Sequence, residues 1–365
     1  MTTSAPDRLI ALERWVASLY ARTLNLPNAS NPANARWTIA PASADASFRR
    51  YFRVTFTPPA PIDAPSIIVM DAPPAHEDCR PFILVAELFR AAGVNVPRIL
   101  AQDLAQGFLA LDDLGDTTYL QALELARNEA DGGKATTNRL YRDAIDALVA
   151  IQRASKPGVV PDYDRALLER ELRLFPQWYV QRQLGRTLTE PESAVLEKTF
   201  EVVLDNNLAQ PSVFVHRDYH SRNLMRREAP ARNPGVIDFQ DAVYGPITYD
   251  LVSLLRDAYI VWPEAKVIDW AIRYWEAARR ANLPVADDFG AFYRDFEWMG
   301  VQRQIKVVGI FARLAHRDGK LQYLSDQPLV LNYLRAACQR YSALGPFARL
   351  LETLAGGTVK PGYTF

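Results

Sequence analysis

Apolar residues recur with two different periods along the chain, and the period changes near residue 115. Leu9, Leu12, Val16 and Leu19, with Trp15 beside them, keep helical spacing and predict an amphipathic helix over 7–23. Residues 28–34 are turn chemistry without a period. Three extended runs follow, WTIAP, RYFRVTF and, after the proline-rich link TPPAPIDAP, SIIVM. Phe82, Val85 and Phe89 then mark the buried stripe of a helix over 77–92, with Pro81 suited to its first turn and Gly93 to its C-terminal cap. Glu87 falls on or near a flank of that stripe. VPRIL and GFLAL, which ends at Leu111, read as two further strands, closed by a hinge at Asp112-Asp113-Leu114-Gly115.

Beyond the hinge the helical period dominates. Helices are expected over 116–126, 138–152, 165–179, 191–206, 262–281, 288–316 and 329–344. One stretch, 213–255, breaks this regime. An apolar run leads into the polar loop His216-Arg217-Asp218-Tyr219-His220-Ser221-Arg222-Asn223, a second apolar run follows it, and Val236-Ile237 delivers Asp238. The pattern predicts an α+β chain with a small β-rich lobe over 1–113 and a larger, mainly helical lobe over 114–365. A length of 365 residues accommodates two domains of ~150 residues each.

Composition narrows the partners. Lys+Arg and Asp+Glu both number 42, so the formal net charge is zero. That argues against a nucleic acid or an acidic membrane surface as the main partner. No apolar run approaches the ~20 residues that a membrane helix needs, and the acidic Asp7 and Glu13 do not suit a signal peptide. Cys79 and Cys338, far apart in sequence, read as reduced packing thiols. The expectation is a cytoplasmic protein with no obligate protein partner.

The loop and the strand after it carry the chemistry. An Asp, an Asn five residues later and an Asp after the next strand supply hard oxygen donors of the kind that suit Mg²⁺ on nucleotide phosphates, and they are expected to gather at the mouth of one hairpin. Alone, Asp218 reads as a turn residue, Asn223 as a left-handed loop residue and His216 as a hydrogen-bonding scaffold. Their joint spacing favours phosphoryl transfer. No Cys/His cluster suits zinc and no Gly-x-Ser-x-Gly elbow supports a hydrolase. Between the first two strands, the small residues of 42–47, Ser47 among them, can bring backbone N–H groups to phosphate oxygens, although the same composition makes a plain hairpin loop. Phe48 follows them, and Arg49 and Arg50 add guanidinium forks that match phosphate geometry.

HRDYHSRN followed by VIDFQD resembles the catalytic loop and metal-binding segment of the aminoglycoside phosphotransferase-like kinases, which are small-molecule kinases with a protein-kinase-like fold. The likeness runs along the whole chain in order. The segments DASFRRYFRV, IVMDAPP, HRDYHSRNLM, GVIDFQDAVYGPITYDLVSLLRD and GIFARLAHRDGK are most similar to the bacterial anomeric kinases of N-acetylmuramate and N-acetylglucosamine. The resemblance implies a two-lobed fold, ATP and Mg²⁺ as cofactors and an amino sugar as acceptor. It implies Asp218 as the base or orienting group, Asn223 and Asp238 as Mg²⁺ ligands, and His216 and Asp250 as braces of the loop. Ser47, Phe48, Arg49, Arg50, Arg53, Glu87 and Leu111 would line the ATP site. Arg222, Asp241 and Tyr244, with Glu171 and Trp178 on an earlier helix, are candidates for the sugar. Arg303 and Arg313, on a late helix, would either meet a lactyl carboxylate or form surface salt bridges.

One departure stands out. Related kinases carry a third-strand Lys that pairs with the helix Glu, whereas SIIVMDAPP offers Asp71 and no Lys. Arg49, Arg50 or Arg53 would then supply the missing charge. Two alternatives remain: a kinase of another small alcohol, such as an aminoglycoside, an amino alcohol or homoserine, and a kinase-like binding protein without turnover.

Overall fold

The structure is a computed structural model that describes residues 5–24, 37–43, 48–57 and 64–356. Ser47 lies outside the described residues. The chain divides into two compact units. The first comprises residues 1–91, 95–116 and 235–240, and the second 92–94, 117–234 and 241–365.

The first unit holds an antiparallel sheet of β1 (Trp37–Ser43), β2 (Arg50–Phe56), β3 (Ser66–Asp71), β4 (Ile99–Asp103) and β5 (Phe108–Asp112), in the order β1-β2-β3-β5-β4. Alternation sets its faces. Phe52, Val54 and Phe56 on β2, and Ile67 and Val69 on β3, point to one side and are buried. Helix α1 (Ala5–Leu24) covers that side with Leu12, Trp15, Val16 and Tyr20, the i, i+3, i+4, i+8 rows of one helical face. These side chains and Phe108 form the core of the unit. Helix α2 (Arg80–Ala91) buries Phe82, Val85, Ala86 and Phe89, and Phe82 and Phe89 pack on Phe239 with ring centroids 4.8 and 5.9 Å apart.

The second unit is mainly helical. It contains α3 (Tyr119–Ala126), α4 (Lys134–Arg153), α5 (Arg165–Leu172) and α6 (Glu190–Ala209), then α7 (Tyr249–Leu255), α8 (Glu264–Arg280), α9 (Phe289–Asp318), α10 (Gln327–Arg340) and α11 (Gly345–Leu354). The short strands β6 (Ser212–Val215), β7 (Leu224–Met225), β8 (Gly235–Val236) and β9 (Val243–Pro246) interrupt the helices, with β8 grouped in the first unit. The helix expected over 165–179 stops at Leu172 and resumes as a π-helix over Phe175–Gln183. Gly309 explains how α9 passes so close to the start of this π-helix: a Cβ there would lie 2.5 Å from the Leu174 carbonyl carbon. Cys79 and Cys338 are buried free thiols. No described helix is long and apolar enough to cross a membrane.

The strands on either side of the polar loop, β6 and β7, do not pair with each other. β6, which leads into the loop, pairs antiparallel with β9, so that Phe214 faces Tyr244 and Val215 faces Val243. Some thirty residues therefore separate the two strands, and the loop closes over α7 rather than over a tight turn.

Candidate active site

The loop 216–223 is held from beneath by two buried carboxylates. Asp250 accepts the backbone N–H of His216 at 2.6 Å and of Arg217 at 3.0 Å. Asp257 accepts the N–H of Ser221 at 2.9 Å and of Tyr259 at 3.0 Å. Both carboxylates are fully buried. Sequence reasoning found Asp250 and missed Asp257. Asp257 lies just past the C-cap of α7, in irregular backbone where no spacing in the sequence marks it. Within the loop, Asp218 N donates to His216 Nδ1 at 3.3 Å, and Asn223 Nδ2 donates to the Asp218 carbonyl at 3.0 Å. Tyr219 is buried, and its hydroxyl donates to the Ala144 carbonyl at 2.8 Å. Arg217 takes φ +77°, a left-handed conformation that a non-glycine residue adopts only under constraint. Here the constraint is visible. Both its N–H and its guanidinium are anchored, the latter on Glu171 and over the Tyr163 ring.

Glu171 is the hub of a buried charge cluster. It is 5% exposed and takes Arg217, the Tyr163 hydroxyl and Lys306 Nζ, the last at 3.0 Å. Lys306 Nζ also donates to the Tyr249 hydroxyl at 2.9 Å. Burial pushes the Glu171 carboxyl upward, but Lys306 and Arg217 outweigh it and hold the group below its ordinary value. Gly245 lets β9 approach this cluster, since a Cβ there would lie 2.5 Å from Tyr163 Cβ.

The same cations act on Asp218. Burial raises its carboxyl, yet Lys306, His220, Arg303 and Arg217 reverse the balance and lower it. Asp250 goes the other way. Burial pushes it up to about 7, against its two N–H donors and with the Asp218 charge adding to the rise. Neighbouring carboxylates thus divide into one kept ionised and one poised near neutrality.

The other candidates fall in varied surroundings. Arg222 is exposed, with its guanidinium carbon 3.5 Å from the Tyr259 ring centroid. Asp241 is exposed, and Tyr244 is half-buried with its backbone bonded to Pro161 and Tyr163. Trp178, on the π-helix, lines an open surface cavity of about 430 Å³ with Gln177, Gln181, Arg182, His316 and Arg317. Glu171 spends its oxygens on the buried cluster. The surface salt bridges allowed for Arg303 and Arg313 are absent among the described residues. Arg303 is 4% exposed, and the enclosed Nε of each has no partner.

In the first unit, Asp71 is fully buried and receives two guanidiniums. Arg8 Nε reaches Oδ1 at 2.9 Å and Arg50 Nε reaches Oδ2 at 3.1 Å. The register explains the second contact, because Arg50 lies directly opposite Asp71 across β2 and β3. Arg53 points to the other face and forks onto Asp113 at 2.6 and 3.0 Å. Ser66 also donates to Asp113, at 2.7 Å. Arg49 pairs with Glu77 at 2.8 Å. Phe48 is exposed and stacks on His76, and Leu111 is buried in β5 opposite Ile68. Glu87 is exposed on α2 and makes no ion pair among the described residues. Asp238 takes φ +64° and accepts Gln240 Nε2 at 2.8 Å.

An Asp held ionised in a buried loop, braced by two carboxylates and fed by a strand pair in a helical unit, is the arrangement of a phosphotransferase. Residues 38–289 match the phosphotransferase enzyme family, and the chain belongs to it. Among curated relatives, the N-acetylmuramate/N-acetylglucosamine kinase of Neisseria meningitidis serogroup B is 46% identical over 360 residues, covering 98% of this chain and 100% of that protein. The kinase of the same name from Pseudomonas putida is 47% identical over 320 residues, covering 88% of this chain and 89% of that one. Among solved structures, choline kinase from Cryptosporidium parvum aligns with a TM-score of 0.60 at 12% identity, covering 94% of this chain and 99% of that one. Plasmodium vivax ethanolamine kinase aligns with 0.58 at 10% identity, covering 93% and 91%. The fold is the protein-kinase-like fold of these enzymes.

Proposed function

We propose that the protein is an ATP-dependent kinase that phosphorylates the anomeric hydroxyl of N-acetylmuramate and N-acetylglucosamine, the sugars in its relatives' names, in recovery of cell-wall sugars. The observation that carries the chemistry is Asp218, a carboxylate kept ionised by surrounding cations in a loop pinned at both ends. An anomeric hydroxyl is more acidic than an ordinary alcohol because the ring oxygen withdraws charge. A carboxylate of low pKa can therefore orient it and take its proton, acting chiefly by positioning.

Asn223 and Asp238 are the proposed Mg²⁺ ligands. Both are oxygen donors of the hard type that Mg²⁺ takes. The Asn223 amide is turned by its bond to the Asp218 carbonyl so that its oxygen points away from that carbonyl. Mg²⁺ bound there would neutralise nucleotide phosphate charge. His216 and Asp250 set the height of the loop. Arg222, Asp241 and Tyr244 remain the proposed sugar contacts.

For ATP, the proposed contacts are Ser47, Phe48, Arg49, Arg50, Arg53, Glu87 and Leu111. The Lys–Glu pair of related kinases is replaced by Arg8 and Arg50 on Asp71, two positive charges on one negative. Release of ADP from Mg-ATP in the presence of each free sugar tests the reading. No release with either sugar, alongside release with an amino alcohol or aminoglycoside, would move the assignment elsewhere in the family.

A further inference from the structure

One buried cation of the second unit makes no ion pair with a described side chain. Helix α9 runs fully buried through Gln302, Arg303, Gln304 and Lys306, a polar run where a core helix would carry apolar side chains. Lys306, His220, Arg303 and Arg217 act on Asp218, and of these Arg217, Lys306 and Arg303 are the Lys and Arg side chains. Arg217 and Lys306 both pair with Glu171. Arg303 does not. It lies one turn before Lys306 on the same face of α9, and it makes no hydrogen bond or ion pair with any described residue. Its Nε is enclosed without a partner, and of its three nitrogens only that one is wholly enclosed. Asp218, a carboxylate that Arg303 acts on, is the group that must face the acceptor hydroxyl. Burying an unpaired guanidinium is costly unless an anion meets it in the working state.

We propose that Arg303 anchors a carboxylate on the acceptor sugar, the lactyl carboxylate of N-acetylmuramate, and so sets the enzyme's preference for acidic over neutral amino sugars. This deepens the sugar-kinase reading and rests on it. A guanidinium presents two parallel N–H donors to a carboxylate, which fixes the sugar's angle relative to Asp218 as well as its affinity. A neutral sugar leaves Arg303 unmet and gains nothing from it.

The test compares kcat/KM for N-acetylmuramate and N-acetylglucosamine in the full-length protein, in Arg303→Gln, Arg303→Lys and, as a control on the same helix, Arg294→Gln, an exposed arginine beside Asp295. In Arg303→Gln the acidic-to-neutral ratio of kcat/KM falls on the order of 30-fold, mostly through KM for the acid, as loss of one charge-assisted pair requires. Arg303→Lys recovers part of the ratio, and Arg294→Gln leaves it unchanged. A second arm uses the wild-type protein and the methyl amide of N-acetylmuramate. Neutralising the carboxylate raises KM on the order of tenfold over the free acid. An unchanged ratio in Arg303→Gln, or equal KM values for acid and amide, overturns the assignment. Equal losses for both sugars would make Arg303 a holder of Asp218 or of the transferred phosphoryl group, and would overturn it too. If the wild-type protein phosphorylates neither sugar, the sugar-kinase reading itself has failed.

Discussion

Asp250 accepts the backbone N–H of Arg217 at 3.0 Å, from a position where burial has lifted its carboxyl to about 7. The folded protein thus keeps a proton on Asp250 at pH values where an unfolded Asp, with a pKa of ~3.9, has lost it. The sign follows from linkage. Stability from this group is fully present below about pH 4 and is lost as pH rises through about 7. Denaturation curves between pH 4.5 and 8 should show this decline in the wild-type protein and a flatter profile in Asp250→Asn. Parallel profiles would mean that Asp250 is not the titrating group. The same variant should lower kcat, because an amide cannot accept both loop N–H groups as a carboxylate does.

Glu171 should behave as a structural hub. Glu171→Gln leaves Arg217 and Lys306 buried without their counter-charge and should cost about 3–5 kcal/mol of stability. Pairing it with Lys306→Met should recover part of that loss, because one of the two stranded cations is gone. Unfolding midpoints of the two single variants and the double variant measure this directly. Simple additivity would contradict the shared cluster.

The two arginines of β2 should differ in their effect on ATP. Arg53 is matched one-to-one by Asp113, whereas Arg8 and Arg50 share the single carboxylate of Asp71. Arg50→Met should therefore raise KM for ATP on the order of tenfold, and Arg53→Met by less. The opposite order, or no change in either, would remove Arg50 as the stand-in for the missing lysine.

The sequence was legible where structure is local. Helical spacing found α1, alternation found β2, and the spacing of Asp218 and Asn223 placed them in one loop. Three features were hidden for physical reasons. α7 is buried all round, so Tyr249–Leu255 has no polar face to mark a period. The β6–β9 pair joins strands that a span of some thirty residues separates, and no turn signal announces a distant partner. Arg303 is open in the sequence between a surface salt bridge and a contact with a carboxylate, because charge in a sequence says nothing of what packs over it. Only the fold reveals that α9 is buried there. The packing that hides these side chains also gives Glu171 and Asp218 their ionised state.

Asp218→Asn should cut kcat by ~10²–10⁴-fold while nucleotide affinity changes little, since the amide keeps the shape but cannot accept the acceptor's proton. Because its cations hold Asp218 below the ordinary carboxylate range, kcat in the wild-type protein should show no acid limb belonging to this group near neutral pH. Turnover like that of the wild type in the variant would reassign the base.

The central claim is the position of the transferred phosphate. The protein, incubated with Mg-ATP and either N-acetylmuramate or N-acetylglucosamine, should release ADP and yield a sugar whose phosphorus couples to the anomeric proton in ³¹P NMR, with loss of the reducing end. No ADP release with either sugar, or a phosphate on another hydroxyl with the reducing end intact, would contradict it.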